Sequence, residues 1–182
     1  RYGMSETVML TSNPCDPARG ERRGGTVGFA LPGVGLRVRD DAGRPCAAGE
    51  IGGIEVSGPN VFKGYWRMPE KTAEEFTPDG WFKTGDVGMV DAQGVVAIVG
   101  RSKDLIISGG YNVYPAEVES TLNDLPGVAE SAVVGVPHAD FGEGVVAVVV
   151  PKPGATLSAD APAASAKAAV TPSAHENNLC CL

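Results

Sequence analysis

The sequence predicts a mixed α+β fold in three stretches. A β-barrel-like or sandwich-like subdomain runs to about residue 100, a small α/β domain covers 101–154, and a disordered tail covers 155–182. Three observations predict this. Short strand signals separated by Gly-rich turns crowd the first hundred residues. Past Gly100, a helix-spaced apolar stripe is flanked by apolar strand runs. Past Gly154, Ala, Ser and Pro dominate, leaving too little apolar bulk to offset the entropy of ordering.

Residues 1–24 read as loop, with turn formers at Asn13-Pro14, Asp16-Pro17 and Gly24-Gly25. Leu36–Arg39 alternates apolar and charged, and Asp40–Gly43 then turns. Ile51, Ile54 and Val56 mark a second strand ended by Gly58-Pro59. Met89–Asp91 and Val95–Val99 flank Ala92-Gln93-Gly94, a hairpin signal. Leu105–Ile107 is a short strand and Gly109-Gly110 a turn. Pro115 opens a helix, because its fixed φ suits the first turn and its missing N–H is not needed there. Val118, Leu122 and Leu125 form one stripe, Glu117 and Glu119 sit near the positive helix end, and Pro126-Gly127 stops the helix. Ser131–Val136 and Val145–Val150 read as strands, the second apolar at every position and expected to be buried on both faces.

With 15 Lys+Arg against 22 Asp+Glu, the formal net charge is −7. No basic run is long enough to track a duplex, which argues against nucleic acid as a partner. The longest apolar strand-like run, Val145–Val150, is too short to span a bilayer. The N-terminus carries no targeting pattern and reads as the interior of a longer protein. Cys15, Cys46, Cys180 and Cys181 form no C-x-x-C pair, and with only His138 and His175 to assist them they predict free thiols rather than a zinc site.

Three motifs carry chemistry: RYGMSE at Arg1–Glu6, WFKTGD at Trp81–Asp86 and GRSKDLIISGGYNVYPAEVE at Gly100–Glu119. In this order and spacing they resemble the adenylate-forming superfamily, which includes acyl-CoA synthetases, luciferases and peptide adenylation domains. The resemblance implies the C-terminal part of a large adenylating domain over 1–100, a truncated small C-terminal domain over 101–154 and a divergent tail. It implies ATP, Mg2+ and CoA as ligands, with a small carboxylic acid joined to AMP and then to a thiol. It places Tyr2 against adenine, Ser5 near the phosphates and Glu6 on Mg2+, where a hard cation wants carboxylate oxygen. Asp86 would accept both ribose hydroxyls, since one carboxylate has acceptor sites for two donors. Arg101 would contact ribose and phosphate, and Lys103 would be the hinge about which the small domain swings. Ser108, Gly109 and Gly110 would approach the pantetheine arm of CoA, glycine permitting close backbone contact.

Gly58–Phe76 and Gly135–Val150 tilt the resemblance toward malonyl-CoA synthetases. Phe62, Tyr65 and Trp66 are read as packing, and His138 as a turn residue after Pro137. The family's Gly/Ser/Thr-rich phosphate loop and its C-terminal catalytic Lys are not matched; Lys167 lacks the required context. The reading is therefore a piece of an acid–CoA ligase, inactive on its own. The alternatives are an inactive truncated paralogue with residual nucleotide binding, or a module loading a carrier protein. The implied compartment is the cytoplasm, or the mitochondrion if a transit peptide precedes the chain.

Overall fold

The computed structural model describes residues 1–155. Past Ala155, the expected disordered tail lies outside these residues. The chain folds as two compact units, Arg1–Ser102 and one that begins at Lys103. Among the described residues no helix is long and apolar enough to cross a membrane.

The first unit contains β1 (Thr11–Ser12), β2 (Phe29–Ala30), β3 (Gly35–Arg39), β4 (Gly52–Ser57), α1 (Pro69–Glu75), β5 (Phe82–Val90) and β6 (Val96–Arg101). β1 pairs with β2, and β3-β4-β5-β6 form an antiparallel meander. The expected barrel is thus an open sheet with β3 and β6 as edges, because four strands are too few to close around a packed interior. The Ala92–Gly94 hairpin forms as read, joining β5 to β6. β5 passes through WFKTGD, and Asp86 sits mid-strand opposite Arg101 of β6. Gly85, at φ 74°, bends the strand there, and the pairing with β4 slips between Gly53 and Glu55.

Leu10, Ile54, Val56 and Phe82 are the buried centre of this unit. The Phe82 ring lies 5.2 Å from Phe62 and 5.3 Å from Phe76, centroid to centroid. Phe62 and Tyr65 pack as expected, at 4.9 Å edge to face. Trp66 does not pack: it is 85% exposed. Phe82→Ala should destabilise this unit by about 3–5 kcal/mol, the range for emptying a buried aromatic site. A urea melt followed by tryptophan fluorescence, with Trp81 immediately before Phe82 in the chain, checks it.

The second unit contains β7 (Ile106–Ser108), β8 (Tyr111–Val113), α2 (Pro115–Asn123), β9 (Val128–His138) and β10 (Gly142–Pro151), in the order β8-β7-β10-β9. All its pairings are antiparallel, so the unit is α+β rather than the expected α/β. The connections decide this: Gly109-Gly110 and Ala139–Phe141 are hairpin links, and a parallel pair needs a long crossover. Pro115 opens α2 as read, and Val118 and Leu122 bury against Ile106, Val113 and Val133, with Leu125 partly buried beside them.

β10 is not buried on both faces. Val145, Ala147 and Val149 pack on the α2 side, while Val146, Val148 and Val150 stay 38%, 57% and 49% exposed. Val134 and Val136 of β9 are exposed as well. At the outer edge of β9, the Val133 backbone N–H donates to the Glu119 carboxylate of α2 at 2.8 Å. Glu119 therefore caps a strand edge from the middle of α2, and of the two glutamates expected near the positive helix end only Glu117 lies in the first turn.

Candidate functional site

The Tyr2–Glu6 segment is anchored by backbone. Tyr2 bridges Thr11, its N–H donating to the Thr11 carbonyl at 3.1 Å and its carbonyl accepting from Leu10 at 2.9 Å. The chain then doubles back so tightly that a Cβ on Gly3 would lie 2.0 Å from the Val8 carbonyl oxygen, so glycine is required there. Val8 closes the loop at φ 58°, a conformation that a β-branched residue rarely adopts and that marks stored strain. Asn60 fastens the loop from outside, its amide donating to the carbonyls of Thr7 and Met9 at 2.8 and 3.1 Å.

This anchoring delivers the Tyr2 hydroxyl to Asp86, with Oη donating to Oδ2 at 2.5 Å. On the other carboxylate oxygen, the Arg101 Nε lies 3.2 Å from Oδ1. The Asp86 side chain is 8% exposed and that of Arg101 63%. Thr84 completes the support, its Oγ1 accepting from the Asp86 N–H at 3.1 Å and donating to the Ile54 carbonyl at 3.0 Å. Ser102 reaches back to the Gly85 carbonyl at 3.0 Å, fixing the end of β6 against β5. Burial, and then the bond to the Asp86 carboxylate, push the Tyr2 hydroxyl well above its ordinary pKa. It stays a protonated donor throughout the physiological range.

Glu6 has a partner of its own. The Tyr65 hydroxyl donates to Oε1 at 3.1 Å, and the Glu6 carbonyl accepts from the Phe62 N–H at 2.8 Å. Burial, and then Glu6, raise the Tyr65 pKa. Among the described residues no three carboxylate, His or Cys side chains gather into a metal cage. One carboxylate with a spare oxygen still fits Mg2+, which is commonly held by one or two carboxylates plus substrate phosphates. Ser5 is exposed beside Glu6 in the chain.

Lys103 is exposed in a single turn, Ser102–Asp104, where the first unit ends and the second begins. Ser108 ends β7, and Gly109-Gly110 form the two-residue β7–β8 hairpin link, with φ 58° and 85°, the pattern of a type I′ turn. The Gly109 N–H donates to the Phe141 carbonyl at 2.9 Å. His138 ends β9 and lies against the Phe141 ring, 4.8 Å between centroids.

The structure thus joins Tyr2 to Asp86 by a hydrogen bond and Arg101 to the same carboxylate by an ion pair, pairs Glu6 with Tyr65, and places Ser108–Gly110 in the second unit. Tyr65 and Asn60 were not read as site residues. Each acts across more than 50 positions of sequence, and no local pattern marks either.

The AMP-binding enzyme family matches residues 1–66, and the AMP-binding enzyme C-terminal domain matches residues 117–177. The second match runs well past Gly154, where the sequence reading ended the resemblance. The malonate–CoA ligase of Arabidopsis thaliana is 48% identical over 151 residues, 82% of this chain and 24% of that protein. ATP-bound MatB from Rhodopseudomonas palustris is 59% identical with a TM-score of 0.86, over 92% of this chain and 33% of that one. The o-succinylbenzoate CoA synthetase MenE of Bacillus subtilis, crystallised with its acyl-adenylate intermediate, is 36% identical with a TM-score of 0.78, over 92% and 34%. The chain therefore spans about a quarter to a third of the length of these relatives.

Proposed function

We propose, from the premise that this chain belongs to the family of AMP-binding, adenylate-forming enzymes, that it carries part of the nucleotide site and the hinge of an ATP-dependent acid–CoA ligase acting on malonate. The observation that carries the reading is the Tyr2–Asp86–Arg101 set, in a chain 59% identical to an ATP-bound relative. The identity to a malonate–CoA ligase supports malonate. MenE, at lower identity, takes a larger acid.

In this reading the buried Asp86 carboxylate accepts the ribose hydroxyls. The largely exposed Arg101 guanidinium, held at the same carboxylate, turns its remaining donors to ribose and the adjoining phosphate. Glu6, oriented by Tyr65, would hold Mg2+, whose charge would offset that of the bound phosphates. Lys103 sits where the two units join, and rotation there exchanges an adenylating pose for a thioester-forming one. The Gly109-Gly110 turn then meets the pantetheine arm of CoA.

A hybrid enzyme tests the reading. Residues 1–155 replace the matching part of the Rhodopseudomonas MatB, whose own sequence supplies the rest. Malonate-dependent ATP–pyrophosphate exchange by the hybrid is the expected result. A folded hybrid that binds no ATP overturns the reading. In the same hybrid, Lys103→Pro should spare exchange and stop thioester formation, because proline fixes φ at the turn that has to rotate. Separate assays of the two half-reactions check this, and equal loss of both would overturn the hinge assignment.

A further inference from the structure

Asp86 has two carboxylate oxygens, each with two acceptor sites. The Tyr2 hydroxyl takes one site on Oδ2, and the Arg101 Nε lies against Oδ1. One acceptor site per oxygen remains, on a side chain that is only 8% exposed. Its rotation is opposed from both sides, by donors arriving from β6 and from the anchored segment next to β1. The Tyr2 ring meanwhile packs against the Leu10–Phe82 core. Tyr2 is thus held by its ring and spends its hydroxyl on Asp86.

We infer that Tyr2 is a positioning residue for ribose recognition, its hydroxyl aiming the two free acceptor sites of Asp86 at the vicinal diol of the nucleotide. The inference rests on the reading of Asp86 as the ribose carboxylate. It adds that this preference for a diol depends on a phenolic proton some 84 positions away in sequence. A tyrosine acting only through its ring face would be replaced by phenylalanine without loss.

The test measures binding of ATP and of 2′,3′-dideoxy-ATP, each with Mg2+, to the 182-residue chain by ligand-observed NMR titration. The readout is the ratio of the two dissociation constants, which is unaffected by any unfolded fraction because both ligands report on the same folded molecules. The wild-type chain should favour ATP. Tyr2→Phe should shrink that preference by about tenfold, the scale of one hydrogen bond to a charged group, while leaving dideoxy-ATP affinity within about twofold. Asp86→Asn should lose the preference as well. If Asp86→Asn loses the preference and Tyr2→Phe keeps it, the positioning role is overturned while the ribose reading stands. If the wild-type chain shows no preference, or binds neither nucleotide, the ribose reading fails and takes this inference with it.

Discussion

Purified residues 1–182 should show no malonate-dependent ATP–pyrophosphate exchange above blank, while still binding ATP weakly. Pyrophosphate departure needs donors already placed where negative charge develops, usually the largest single contribution to catalysis. In the family this chain belongs to, the resemblance assigns that work to a Gly/Ser/Thr-rich phosphate loop and a C-terminal lysine. No such loop occurs in the sequence, and Lys167 stands in an Ala-rich run without the expected neighbours. What the structure does assemble is the contact set Tyr2, Asp86 and Arg101, proposed above to grip one end of a nucleotide, with Glu6 proposed for a metal ion. Loss of one transition-state donor typically costs on the order of 10²–10³ in rate. Loss of several brings turnover below detection by radiolabelled pyrophosphate. A monodisperse preparation that exchanged label with malonate would overturn this and require a phosphate site elsewhere in the chain.

Asp86→Ala in the hybrid enzyme should raise the KM for ATP and cut adenylation. Two hydrogen bonds from ribose to a charged acceptor are worth about 1.5–3 kcal/mol each, so about 10²–10⁴ in kcat/KM for ATP is at stake. The alanine also strands two donors, the Tyr2 hydroxyl and the Arg101 guanidinium, which gives the first no protein acceptor at 2.5 Å and frees the second to swing. Steady-state kinetics with ATP varied, beside a thermal melt, separates a site effect from a folding defect. Unchanged ATP kinetics in a folded Asp86→Ala hybrid would remove Asp86 from the nucleotide site.

Much of the second unit was legible because its signals are local. Pro115 with the Val118–Leu122 stripe gives α2, and Gly109-Gly110 gives the hairpin link. The first unit hid its longest strand. In β5, Lys83, Thr84, Gly85 and Asp86 interrupt any apolar run, so no strand signal marks the segment although Phe82 and Val87 bury on it. α1 was missed because none of its residues is buried, leaving no apolar stripe to detect. The two-sided burial expected for β10 failed for the opposite reason. Valine at nearly every position reads as double coverage, but a hairpin backed by one helix covers only one side. The motif residues stood out as a set, yet their partnerships did not. That Tyr2 meets Asp86 through its hydroxyl, and Glu6 meets Tyr65, depends on how the chain folds back across the sheet.

The bond from Val133 to Glu119 has a bearing on self-association. β9 is an outermost strand, and its neighbour β10 carries the run Val145–Val150, which is rich in β-formers and uncharged. An open backbone row beside such a run is a template on which a second molecule can add a strand. The Glu119 carboxylate occupies one of the N–H groups a newcomer would need and puts a negative charge in its path. A residue of the helix thus covers one opening on the sheet edge where a second molecule could add a strand.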